Sequence, residues 1–142
     1  MKPIDGRKYT GGGQYIGQAN NSKEHQRCER EIHFNLYVTR IDAYAELPIK
    51  VSINGRSKKF IPDVVVFDQD EQPVVIIEVS DKGPDSDIRK CRLIIKNSRK
   101  IKEAFVYSIR DDYWYRIVKE DGKVITQEGN TYSSLLGLEL SV

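Results

Sequence analysis

Apolar residues recur at helical spacing from His25 to Leu36. At 100° per residue, His25, Cys28, Glu29, Ile32 and Leu36 share one side, which predicts an amphipathic helix with Glu29 at its buried face and Glu31 off it. Asn21 is placed to cap this helix, and Glu24 follows three residues later as a capping-box partner. Ala43–Val51 has strand character interrupted by Pro48, as expected of an edge or bulged strand. Asn54-Gly55 signals a hairpin turn leading into a strand over Lys59–Phe67. Asp68–Gln72 is a polar turn, and Pro73–Ser80 is the next strand. Both strands are apolar at nearly every position, the pattern of central strands covered on two faces. A Gly-Pro loop then opens a second helix, over Asp87–Lys100, capped by Ser86 or Asp85. Its apolar arc holds Ile88, Cys91, Ile94, Ile95 and Ile101, and Lys90 sits on the rim of that arc. Ala104–Ile109, Tyr113–Val118 and Lys123–Gln127 read as three further strands, turned at Asp111-Asp112 and Asp121-Gly122. The predicted class is α/β (α+β), with a mixed central sheet flanked by helices.

Residues 1–20 show no sustained period and include Gly11-Gly-Gly13, so they read as a flexible arm before a single domain over 21–142. The 142 residues suffice for one core, with 39% hydrophobic and 31% charged residues. No apolar run approaches the roughly 18 residues of a membrane span, and the N-terminus lacks a signal-peptide core, which predicts a cytoplasmic protein. Cys28 and Cys91 fall on helix apolar faces and are read as reduced core thiols. Tyr113-Trp114-Tyr115 alternates along a strand and is read as core and surface filling. His25 and His33 lack zinc-like spacing and receive no catalytic or zinc role.

The net charge of +2 hides an asymmetry. The segment from Lys82 to Lys102 carries +6, leaving −4 elsewhere. Arg89, Arg92, Lys96 and Arg99 within it are candidate phosphate contacts, with a solvated helix face as the bland alternative.

The chemistry rests on two carboxylates, Asp63 and Glu78, each in an apolar strand. An uncompensated carboxylate there is costly. Two on adjacent strands suit a hard divalent cation such as Mg²⁺, which activates water and stabilises charge on a phosphate. A lysine beside them offsets that charge. Each has a structural alternative: Asp63 as a strand-edge carboxylate beside Pro62, and Glu78 as the partner of a buried cation such as Arg89.

Pro62-Asp63 with Glu78-Val79-Ser80 resembles the PD-(D/E)xK motif of the restriction-endonuclease-like superfamily. Ser80 stands where the motif has lysine. The sequence is similar to the Uma-type branch, in which the strand lysine is replaced by Asp-x-x-Lys on the following helix, here Asp87-Ile-Arg-Lys90. Ser22–His25 at the first helix and Leu136–Leu140 add to the likeness, which spans roughly residues 20–142. The resemblance implies an αβββαβ core and a Mg²⁺- or Mn²⁺-dependent endonuclease acting on DNA, expected as a homodimer. It implies Asp63, Glu78 and the Val79 carbonyl as metal ligands and Lys90 as the catalytic lysine, with Lys82 as its competitor. Glu29 and, more weakly, Glu46 are additional carboxylates. The missing lysine at position 80 keeps two other expectations open: a nuclease fold that only binds nucleic acid or a protein partner, and a non-catalytic subunit of a larger assembly.

Overall fold

The computed structural model describes residues 22–142. The expected arm at 1–20 and the expected cap Asn21 lie outside the described residues. The first helix, α1 (Lys23–Val38), is capped by Ser22, whose hydroxyl accepts the His25 N–H at 3.0 Å. Glu24 therefore closes no capping box and pairs with Arg27 instead. The buried face of α1 is His25, Cys28, Glu29, Ile32, His33 and Leu36, the predicted side with His33 added.

The expected strand at 43–51 is two strands, β1 (Asp42–Ala45) and β2 (Ile49–Ile53). They are parted by Glu46, whose backbone is left-handed at φ 54°. The expected strand at 59–67 also divides, into β3 (Arg56–Phe60) and β4 (Val64–Phe67). Ile61-Pro62-Asp63 breaks it: proline has no N–H to donate, and the Asp63 N–H goes to a side chain. Asp63 thus stands just before a strand rather than inside one. β5 (Pro73–Ser80) has the predicted bounds.

The second helix, α2 (Asp85–Asn97), begins and ends earlier than expected. Neither Ser86 nor Asp85 caps it. Pro84 holds the N-cap position without a side-chain bond, its carbonyl accepting the Ile88 N–H at 2.8 Å. Ser98 turns extended and ends the helix, so Ile101 is buried from the following loop. β6 (Glu103–Ser108), β7 (Tyr113–Glu120) and β8 (Lys123–Glu128) follow, then two short strands that the sequence pattern did not signal, β9 (Tyr132–Ser133) and β10 (Leu138–Glu139).

Six strands form one mixed sheet in the order β1-β4-β5-β6-β7-β8. Only β5 and β6 run parallel, and α2 makes the crossover between them. β2 and β3 form a separate antiparallel ribbon closed by Asn54-Gly55, with φ of 51° and 79°. Left-handed angles at both turn residues suit a tight two-residue hairpin.

Side chains of β4 and β5 alternate between two cores, as their continuous apolar runs predict. Val65 and Ile76 pack with α2 and the ribbon residues Ile49, Val51 and Phe60. Val64, Val66, Val75, Ile77 and Val79 pack with α1 and with Leu140 from the chain's end. Trp114 is buried against Phe105 and Tyr107, as the core reading of the 113–115 run expects. Both cysteines are free and buried. No described helix is long and apolar enough to cross a membrane.

At the end of the sheet where β5 begins, Glu103 fastens the C-terminal segment. Its buried carboxylate pairs with Arg116 and accepts from the hydroxyls of Ser133 and Ser134 and the N–H of Ser134 and Leu135.

Candidate metal centre and its cleft

Asp63 and Glu78 meet where β4 begins and β5 ends, one step beyond the Val64–Ile77 pair. Both are buried. Glu78 Oε1 accepts the Asp63 N–H at 3.2 Å, and Asp63 Oδ2 accepts the Val79 N–H at 2.7 Å. Each carboxylate is therefore oriented by the other strand's backbone.

Lys90 reaches this pair from α2, as its rim position predicts. Its Nζ lies 2.5 Å from Glu78 Oε2, and its side chain stays 28% exposed. Glu78's cation is thus Lys90, whereas Arg89 is exposed. Burial disfavours the Lys90 charge, but the Glu78 carboxylate outweighs it and raises the ammonium's pKa. Glu78 moves up as well: desolvation and the Asp63 charge outweigh the pull of Lys90.

The first helix adds two groups. His25 Nε2 lies 3.3 Å from Asp63 Oδ2, and its Nδ1 lies 3.5 Å from Glu29 Oε2. Burial disfavours the imidazolium. The Asp63 contact, the Asp81 charge and a bond to the Val79 backbone outweigh it and raise its pKa. Glu29 is fully buried, with its pKa raised by desolvation first and then by Asp63 and Glu46. It forms no ion pair with lysine or arginine among the described residues. Single ligand atoms of His25, Glu29 and Asp63 all lie within 4.8 Å of one another, close enough to share a metal ion. Glu46, also buried, belongs to the same acidic group, and its N–H donates to the Asp63 carbonyl at 3.0 Å.

His25, Asp63, Glu78 and Lys90 face a cleft of about 590 Å³, lined also by Lys59, Ile61, Asp81, Lys82 and Asp87, with Glu29 and Glu46 buried behind it. Asp87 has a raised pKa from burial, moderated by Lys90. Asp81 accepts the Ser22 hydroxyl at 2.6 Å, tying the α1 cap to the cleft loop. Ser80, at the motif's lysine position, spends its hydroxyl on the Gly83 carbonyl. Lys82 is exposed on that loop and makes no ion pair with the carboxylates among the described residues.

The expected basic face of α2 does not assemble as one surface. Arg92 turns inward and donates to Thr126 Oγ1 at 2.8 Å and the Val124 carbonyl at 2.9 Å, a structural tie to β8. Arg99 lines a different cleft with Arg40, Lys100 and Lys102, at the opposite end of β5. Of the four expected phosphate contacts, Arg89 and Lys96 are exposed along the helix itself.

His25 is the site group that sequence reasoning passed over. Its signal was its place four residues before Glu29 on one helix face; a search for zinc spacing along the chain does not register it. No family model matches this chain, and no curated protein matches it.

Proposed function

We propose that the protein is a divalent-metal-dependent nuclease that hydrolyses DNA phosphodiester bonds. The observation that carries this reading is the convergence of Asp63, Glu78 and Lys90 in one open cleft, two acids held by each other's strands and one ammonium beside them. The succession α1-β1-β4-β5-α2-β6 around the cleft supports a restriction-endonuclease-like αβββαβ core, with the β2–β3 ribbon inserted.

The donor set suits Mg²⁺ or Mn²⁺. Hard cations take oxygen ligands, and Glu29 and Glu78, raised by burial first and then by neighbouring carboxylates, are acids whose charge a bound cation would stabilise. Asp63, Glu78 and the Val79 carbonyl would hold the ion, with His25 and Glu29 as further partners of Asp63. Such an ion supplies a water acidified for attack and a positive charge for the phosphate oxygens.

The chain's own groups prepare the rest. The Asp63 and Val79 amides fix the carboxylates before substrate arrives, so little reorganisation is left for the reaction. Lys90 stays protonated and offsets phosphate charge; its raised pKa makes it a poor general base at neutral pH. Assembly as a homodimer would place two such sites on two strands.

Plasmid cleavage with Mg²⁺ or Mn²⁺ tests the reading. Wild type is expected to nick and Asp63→Ala to be inert. Equal nicking by both defeats it. Metal-independent DNA binding without cleavage would favour a binding module.

A further inference from the structure

We propose that the β2–β3 ribbon, rather than helix α2, is the surface on which this protein holds duplex DNA. The inference rests on the nuclease reading and names where its substrate lies. The stretch from Leu47 to Pro62 contains Lys50, Arg56, Lys58 and Lys59 and not one aspartate or glutamate. All four cations are exposed, and none joins an ion pair among the described residues.

The ribbon has two unlike faces. Ile49, Val51 and Phe60 point into the core shared with α2, and the register puts Arg56 and Lys58 on that side too, Lys58 Nζ 5.4 Å from the Phe60 ring centre. Lys50, Ser52, Ser57 and Lys59 occupy the other face, with Lys50 directly opposite Lys59 and Ser52 opposite Ser57. Like charges directly opposite across strands are destabilising. Neither lysine joins an ion pair among the described residues, and no acid on the ribbon itself relieves the repulsion. A polyanion laid on the face would do so.

The shape suits a duplex. Each strand has five residues, so the ribbon is roughly 16 Å long and about 5 Å between strand axes. The DNA major groove, about 12 Å wide, admits a two-stranded β-ribbon, whereas the major groove of duplex RNA is too narrow. The outer face carries no aromatic ring on which unpaired bases could stack, which separates it from single-strand platforms. Lysine and serine without aromatic partners suit phosphate oxygens. The ribbon also ends in the right place: Lys59, Phe60 and Ile61 line the same cleft as Asp63, Glu78 and Lys90.

The experiment is fluorescence anisotropy of a labelled duplex with the full chain in Mg²⁺, carrying Glu78→Gln so that substrate survives. Lys50→Gln/Lys59→Gln is expected to weaken binding about tenfold and to lower the log–log salt slope by about two, one for each lysine withdrawn from a phosphate. Its melting temperature should equal or exceed that of the parent, because a repulsive pair is gone. Lys100→Gln/Lys102→Gln removes equal charge at the far end of β5 and should change affinity less than twofold. Unchanged affinity and slope in the ribbon variant overturn the proposal. So does tighter binding of a single strand than of the duplex, or lysine-dependent binding of anionic vesicles without binding of DNA. A small diester, bis(4-nitrophenyl) phosphate, reports the metal cleft separately in the chain without Glu78→Gln. Turnover there with ribbon-independent DNA affinity defeats the ribbon alone. Ribbon-dependent affinity without turnover defeats the hydrolytic reading alone.

Discussion

Asp63 and Glu78 exchange side-chain-to-backbone hydrogen bonds: Glu78 Oε1 takes the Asp63 N–H, and the Asp63 carboxylate takes the N–H of Val79, next to Glu78. Neither carboxylate can be moved without releasing a buried amide. This separates electrostatic from structural roles. Glu78→Gln keeps an acceptor oxygen for the Asp63 amide and removes a charge that burial disfavours. Lys90 loses its counter-charge in this variant but is 28% exposed and can turn to solvent, so metal-free Glu78→Gln should melt within a few degrees of wild type, while nicking falls at least about 100-fold. Differential scanning fluorimetry beside plasmid cleavage checks both. A large loss of stability would make Glu78 a structural residue.

Lys90 and Lys82 compete for one role, and the geometry distinguishes them. Lys90 Nζ contacts Glu78, whereas Lys82 extends from an exposed loop. Lys90→Met is expected to lower single-turnover cleavage about 100-fold, and Lys82→Met under tenfold. The reverse order would return the role to Lys82.

The raised pKa values of Glu29 and Glu78 predict how metal-free stability depends on pH. A carboxyl whose folded pKa exceeds its unfolded value near 4.5 contributes stability below that value and loses it as pH rises through the folded pKa. Melting temperature in EDTA should thus fall as pH climbs from about 5 toward neutrality. Millimolar Mn²⁺ should reverse most of the fall, because a ligand that binds only the folded state stabilises it. Identical pH profiles with and without the ion would deny the cluster a metal.

Glu103 behaves in the opposite sense. Burial raises its pKa, but Ser133, Arg116 and the Ser134 amide outweigh that and lower it. Its stabilising contribution is present above the unfolded value near 4.5 and is lost as pH falls through the lower folded pKa. Glu103→Gln leaves the Arg116 guanidinium, itself mostly buried, without its counter-charge and should cost about 3 kcal/mol. Urea denaturation measures the cost, and limited proteolysis after residue 128 reports release of the C-terminal segment.

Much of this architecture is legible in the chain, for local reasons. The 3.6-residue period placed the α1 face, and continuous Val/Ile runs placed β4 and β5 in the middle of the sheet. That Lys90 reaches Glu78 was readable because position 90 lies on the rim of an apolar arc. What escaped depends on partners distant in sequence. The run from Lys59 to Phe67 looks unbroken until Glu78 captures the Asp63 amide. Arg92 counts as a surface charge until β8 offers it a carbonyl and a hydroxyl. His25 became a site residue only when Asp63, 38 positions away, came within 3.3 Å. A hairpin free of acids was visible in the composition throughout, but its two faces were not assignable until the Lys50–Lys59 register was known.

The ribbon leaves the large sheet after Glu46 and returns at Asp63, and the Glu46 amide clasps the Asp63 carbonyl at 3.0 Å. Its two roots are therefore acids of the buried cluster, and one of them, Glu46, is left-handed where glycine is the easy residue. Mechanically, the hairpin is a lever with its fulcrum at the carboxylates. A load on its tip at Asn54-Gly55 divides between two routes: along the strands to Glu46 and Asp63, and through Ile49, Val51 and Phe60 to α2.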